Sequence, residues 1–267
     1  MAKYRPLTKA FFYICVFISC APLFMLFALS TSTFWPYPAL LPQAVSLEYY
    51  AHVLGDIRTL HAAVTTVALG LLTALLSLTI AIPAAKALAH RSFWGKSFVR
   101  SLVLVPVIVP GIAVIIGIHI SMIRLGLTGT LFGVAIMHTV FAVPFSIRIL
   151  TNMYEIIGEE LEQQAAVLGA DPLFVFLRVT LPRIMPGVLA AGMFGFAISI
   201  AQYITTFMIG GGRIITITIL LLPLFRGAET HYAAVYSVLL IAVSLLSLAI
   251  MEGVVRRYYN FKSVYQI

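Results

Sequence analysis

The sequence predicts an all-α membrane protein with six transmembrane helices, and three observations lead there. Of its 267 residues, 61% are hydrophobic and only 10% charged, where soluble domains carry about a quarter charged. Charge-free stretches long enough to cross the ~30 Å hydrocarbon core, about 20 residues each, recur along the chain. Lys and Arg are shared unevenly between alternate connections. So few charges cannot coat a water-facing surface, and a mean hydropathy of +1.05 excludes disorder. With Cys15 and Cys20 as the only cysteines, a disulfide scaffold is excluded too.

The first span is placed at 10–29, within a run free of Asp, Glu, Lys and Arg between Lys9 and Glu48. Ala28-Leu29-Ser30 could pass for a cleavage site, but this apolar run is longer than the roughly 7–15 residues of a secretory signal. The span is therefore expected to remain. Residues 30–61 then form an external connection whose Trp35, Tyr37, Tyr49 and Tyr50 fit an interfacial belt. Pro36, Pro38 and Pro42 prevent a long helix there. The second span is 62–86 and the third 101–121. The third contains Val105-Pro106-Val107-Ile108-Val109-Pro110-Gly111, which must kink or break it; a cavity-lining break and a packing kink both fit. Spans four, five and six are placed at 128–148, 184–209 and 232–252. Residues 214–225 are too few to cross and read as interfacial or re-entrant. Residues 1–267 thus form a single transmembrane domain.

On one side of this arrangement stand thirteen Lys and Arg, including Lys3, Lys86, Arg100 and Arg148, against four on the other, Arg58, Arg124, Arg213 and Arg226. That imbalance places both termini in the cytoplasm. The net charge of +8 is then a signal of topology and of membrane-lipid headgroups, not of nucleic acid.

One connection breaks the pattern. The loop 155–182 between spans four and five holds Glu155, Glu159, Glu160, Glu162 and Asp171, five of the nine acids. Residues 159–168 are good helix formers with acids in the first turn, and Gly169 supplies a left-handed stop. Asp171 and Pro172 are an N-cap and first residue for a second short helix reaching about Val179. It should end before Leu181-Pro182.

This corner resembles the loop of permease subunits of binding-protein-dependent ABC importers, whose signature is Glu-Ala-Ala-x3-Gly-x9-Ile-x-Leu-Pro. Anchored on Gly169, Val179 falls at the isoleucine and Leu181-Pro182 at the required distance, with Ala165 at the second alanine. Gln163 and Gln164 replace the signature glutamate and first alanine, with Glu162 beside them. The resemblance covers about 46–259 and implies the type I ABC importer permease fold in a prokaryotic inner membrane. It further implies a coupling helix that docks on a separate ABC ATPase dimer through Glu162, Gln163, Gln164, Ala165, Ala166, Gly169, Ala170 and Asp171, with Leu181 and Pro182 closing the loop. A second permease subunit, homologous or identical, and an extracytoplasmic solute-binding protein are the other implied partners.

No Gly-x4-Gly-Lys-Ser/Thr occurs in the chain, so ATP and magnesium are expected on the ATPase. No metal-ligand cluster or catalytic constellation is visible. Polyamine permeases of this family carry an acidic pair where this chain has Ala201-Gln202, followed by Tyr203. Ser199, Gln202, Tyr203, Thr205, Thr206 and Met208 are candidates to line the solute pathway, or else to bond and pack helices together. His119 and His138 carry the same two readings. Polyamine, thiamine, iron, sulfate, molybdate and phosphonate all remain open as substrates. The alternative function is an ion-gradient-driven secondary transporter or channel, for which buried acids and inverted repeats would speak; neither is evident.

Overall fold

A computed structural model describes residues 5–264 apart from 37, 40 and 228. The extreme termini and Tyr37 of the expected belt lie outside the described residues. The helices are α1 (Arg5–Thr31), α2 (Glu48–Gly55), α3 (Ile57–His90), α4 (Lys96–Val103), α5 (Val105–Ile108), α6 (Gly111–Arg124) and α7 (Leu131–Ile157). They continue as α8 (Glu160–Val167), α9 (Pro172–Val175), α10 (Leu181–Ala201), α11 (Tyr203–Gly210), α12 (Ile217–Arg226) and α13 (Thr230–Val264). A short antiparallel ribbon, β1 (Ser32–Phe34) and β2 (Ala44–Val45), pairs Ser32 with Val45 in the connection after α1.

The centre is made by α3, α7 and α10, which pack on one another more extensively than any other helices. Lipid gives apolar side chains no reason to prefer protein, so close association needs small residues that let backbones approach. Here α10 offers Gly187, Ala191, Gly195 and Ser199, four residues apart and all buried. Facing helix α3 buries Gly70, Ala74, Ser77, Ala81 and Ala85. A Cβ on Gly70 would lie 2.6 Å from the Phe196 ring, and one on Gly195 would lie 3.0 Å from Ser77 Oγ. Outside this centre α1 packs on α13 and leaves Phe12, Phe17 and Phe24 exposed, as a lipid-facing helix should.

Two expected spans are broken. Where a third span was expected at 101–121, Lys96–Ile108 and Gly111–Arg124 meet at 96°. Pro110 drives Val109 to an extended ψ of 136°, since a residue preceding proline avoids the helical region. The fifth, expected to run unbroken over 184–209, stops at Gln202 (ψ 79°) and resumes as α11. Gly211 and Gly212, both at positive φ, then end α11. The short stretch 214–225 holds most of α12, which packs against α3 and α13 with Ile217 fully buried.

A tight reversal leads into α7. Thr130 Oγ1 accepts the Gly133 N–H at 3.0 Å and donates to Leu127 O at 2.7 Å, pressing that carbonyl onto Gly133. A Cβ there would meet Leu127 O at 2.0 Å, and a backbone oxygen has little room to retreat. Gly133→Ala should therefore destabilise the protein by about 1–3 kcal/mol, read as a lowered midpoint of thermal unfolding in detergent.

Candidate functional site

The loop 155–182 is built as a corner. Leu168 closes α8, and Gly169 takes φ +78°, a conformation that costs little only for glycine. Gly169 N–H donates to Ala166 O at 3.0 Å and Ala170 N–H to Ala165 O at 3.1 Å, the paired bonds of a Schellman cap. Asp171 Oδ2 then accepts the N–H groups of Leu173 (3.0 Å) and Phe174 (3.4 Å), which starts α9 with Pro172 as its first residue.

The second helix of the corner does not end before Leu181-Pro182 as the sequence suggested. A π-turn, Phe176–Thr180, joins α9 to α10, with Leu181 N–H reaching back to Phe176 O. Proline is tolerated early in a helix, and widening this one turn lets the chain pass Pro182 without a stop. Residues 172–201 thus form one helical rod, on the order of 45 Å long at 1.5 Å per residue.

A charge cluster fastens the corner to the bundle. Glu162 accepts from Lys86 Nζ on α3 and from Thr180 Oγ1 on the rod, both at 2.5 Å. Burial raises the Glu162 pKa, but the bonds from Lys86 and Thr180 and the charges of Lys86 and His90 outweigh it and hold the carboxyl below its ordinary 4.5. Arg100 of α4 adds a bond to Glu155 Oε1 at 3.0 Å. Meanwhile Gln163 and Gln164 face outward, as do Ala166, Gly169 and Asp171, with Ala165 and Ala170 half-buried. Val167 and Leu168 at the tip are each 87% exposed.

The other candidates converge on the break at Gln202. Thr206 Oγ1 donates to Gln202 O at 2.6 Å, so it accepts from His138 Nε2 at 3.1 Å. His138, neutral with its proton on Nε2, then accepts at Nδ1 from Ser199 Oγ (2.8 Å), which itself accepts from Thr73 Oγ1 at 3.3 Å. For a neutral ring, the direction of every bond follows from each hydroxyl having one proton. Thr205 Oγ1 donates to Gln202 Oε1 at 2.9 Å. Ser199, Thr205 and Thr206 are therefore buried bonding residues, and Met208 packs among apolar side chains of α6 and α7. Gln202 and Tyr203 do line a groove, of about 740 Å³, together with Val109, Gly111, Phe141 and Phe145. Both helix breaks open onto it. Sequence reasoning missed Lys86, counted only as a topology charge, and Thr73 and Thr180, which look like ordinary helix hydroxyls.

The profile of the family described as binding-protein-dependent transport system inner membrane component matches residues 77–259. The molybdenum transport system permease protein ModB of Haemophilus influenzae is 31% identical over 199 residues, covering 68% of this chain and 86% of that protein. A spermidine/putrescine transport system permease protein PotC homolog of Mycoplasma pneumoniae is 26% identical over 74% of this chain and 69% of its own. A crystal structure of a bacterial ABC transporter involved in import of the acidic polysaccharide alginate contains a chain of the same fold. Its TM-score is 0.73 at 19% identity, covering 97% of this chain and 98% of that one.

Two outcomes follow from this geometry. Lys86→Gln should leave Glu162 half-buried without its cation and speed amide exchange in α8 about tenfold, a charged hydrogen bond contributing roughly 1.5–3 kcal/mol. Because the folded pKa lies below 4.5, the Glu162 contribution is complete above that pH. It fades as pH falls through the lower folded value, so the α8 exchange difference between the two proteins should shrink in acid. His138→Leu strands the Ser199 and Thr206 hydroxyls and should cost about 2 kcal/mol; His138→Gln, which keeps a donor and an acceptor, should lose less in the same thermal unfolding measurement.

Proposed function

The chain belongs to the binding-protein-dependent transport system inner membrane component family, and from that membership we propose that its corner docks on a separate ABC ATPase and drives the fifth span. The chain is a membrane permease subunit of an ABC importer, which sets aside the ion-gradient-driven transporter or channel. The observation that carries the docking proposal is the corner itself: apolar Val167 and Leu168 are exposed at its tip, while Glu162 is tied back to Lys86 and Thr180. A surface that is exposed yet rigidly held suits transmission of force better than a loose loop does.

In this reading the basic end of the bundle faces the cytoplasm, as the thirteen-to-four distribution of Lys and Arg requires. ATP and magnesium reside on the ATPase dimer, a second permease subunit supplies the other docking corner, and an extracytoplasmic binding protein delivers the solute. The rod from Pro172 to Ala201 carries displacement of the corner to the break at Gln202. Nucleotide state then biases a two-state bundle by differential contact at the corner. The solute passes the groove beside Gln202 and Tyr203, whose described lining holds no charged side chain. That composition favours a solute that needs no carboxylate partner over a polyamine.

Leu168→Asp and Gly169→Pro test the reading in a detergent pull-down of the tagged chain with ATPase assay. Wild type should bring down a nucleotide-binding subunit. Leu168→Asp should lose at least tenfold of that recovery with its thermal unfolding midpoint unchanged, and Gly169→Pro should lose or uncouple it through the distorted corner. Full recovery of a coupled ATPase with both variants would sink the docking role.

A further inference from the structure

One face of α7 runs from Ile136 through Val140 and Pro144 to Arg148, Asn152 and Glu155, at three- and four-residue spacing that keeps them in line. Two cavities lie along this face, of about 390 and 240 Å³, and they share Val103 and Pro144 in their walls. The larger is an open groove walled on its other side by Leu76, Ile80 and Leu102 of α3 and α4. Its one hydroxyl, Thr139, is already bonded to Ala135 O at 2.8 Å, so that cavity is apolar throughout. The smaller changes character and is lined by Arg100, Arg148, Asn152 and Glu155.

The charges in this polar end do not cancel. Arg100 is held by Glu155 Oε1 at 3.0 Å and by Leu88 O at 3.1 Å. Among the described residues Arg148 has no hydrogen-bond or ion-pair partner, and its side chain is exposed. Glu155 is thus neutralised and Arg148 is the cation left over. From Ile136 to Arg148 the helix rises about 18 Å, close to the ~15 Å of one leaflet of a ~30 Å hydrocarbon core.

We propose that this face is a site for one anionic phospholipid, with an acyl chain in the apolar cavity and the phosphate against Arg148. A free anion would satisfy Arg148 and leave the apolar cavity unused. A lipid without phosphate would fill the cavity and leave Arg148 unpaired, and a zwitterionic one would bring a phosphate whose charge its own ammonium already offsets. An anionic lipid uses both, and phosphate accepts the guanidinium's parallel N–H groups. The occupied helix leads directly into the corner, two residues beyond the described Arg100–Glu155 bond to the end of α7 at Ile157.

The test is native mass spectrometry of the full chain in detergent, with phosphatidylglycerol, phosphatidylcholine or inorganic phosphate added. Phosphatidylglycerol should be retained over phosphatidylcholine, about tenfold less by Arg148→Gln, and by Arg148→Lys to a degree between Arg148→Gln and wild type, since lysine keeps the charge without the paired N–H groups. Val140→Trp, which fills the apolar cavity but keeps Arg148, should lose it too. Exposed Arg148 leaves the fold unaffected, checked by an unchanged unfolding midpoint. Equal retention of both lipids, or indifference to Arg148→Gln, overturns the proposal. So does displacement of the lipid by inorganic phosphate at matched concentration, which would mark a simple anion site. A chain dimer weakened by Val140→Trp with lipid retention unchanged would assign the face to protein packing instead.

Discussion

Close approach of α3, α7 and α10 is the condition on which the other features rest. Within lipid the helices gain nothing from hiding apolar side chains, so what holds them is contact made possible by Gly70, Ala74 and Ser77 against Gly195 and Phe196. That approach brings Lys86, near the end of α3, within reach of Glu162, and Thr73 within reach of Ser199. A larger residue at Gly195 would push α10 from α3 and loosen both polar links together. Packing therefore sets the geometry, and the hydrogen bonds make it specific.

The same logic explains how two helices break inside a membrane. Unsatisfied backbone groups are costly in hydrocarbon, so a break survives only where side chains replace the lost partners. At Gln202 the carbonyl receives Thr206 Oγ1, and a chain of donors from Thr73 through Ser199 and His138 ends on it. Each ring nitrogen in that chain makes one bond, and the Ser199 and Thr206 hydroxyls each donate once and accept once. Such a chain polarises along its length and is worth more than its separate bonds. At Val109 the break comes from the other direction, from Pro110, which disfavours helical conformation in the residue before it.

The spans, the corner and its caps were legible because they depend on local composition. Charge-free length set α1, α3, α7 and α13, and the Gly169, Asp171 and Pro172 caps were readable residue by residue. What escaped depends on partners distant in sequence. Lys86 lies 76 residues from Glu162, and nothing local distinguishes it from a cation placed for topology. Ser199, Thr205 and Thr206 carried two readings, because a hydroxyl in a span bonds a neighbour or faces a cavity, and the bonds they make depend on His138 and Gln202, whose positions only the fold supplies. The continuity of the rod past Leu181-Pro182 escaped as well, since a proline near a helix start reads as a boundary until the π-turn is seen.

A rod fixed at one end and interrupted at the other concentrates movement. From Pro172 to Ala201 the helix is continuous, and Glu162 ties the corner to it through Thr180. Bending such a rod in its middle would break several backbone bonds, whereas Gln202 already lacks helical conformation. A displacement applied at the corner would, in the proposed mechanism, be taken up at Gln202 and across the groove at Val109. In the proposed mechanism these are the positions where a change of nucleotide state would alter the width of the path. His138 limits that change, because moving α11 away from α10 separates Thr206 from Ser199 and costs the bonds between them. The two arrangements of the bundle would then differ by whether that chain is intact, and an energy of a few hydrogen bonds is the scale on which a partner can tip such an equilibrium.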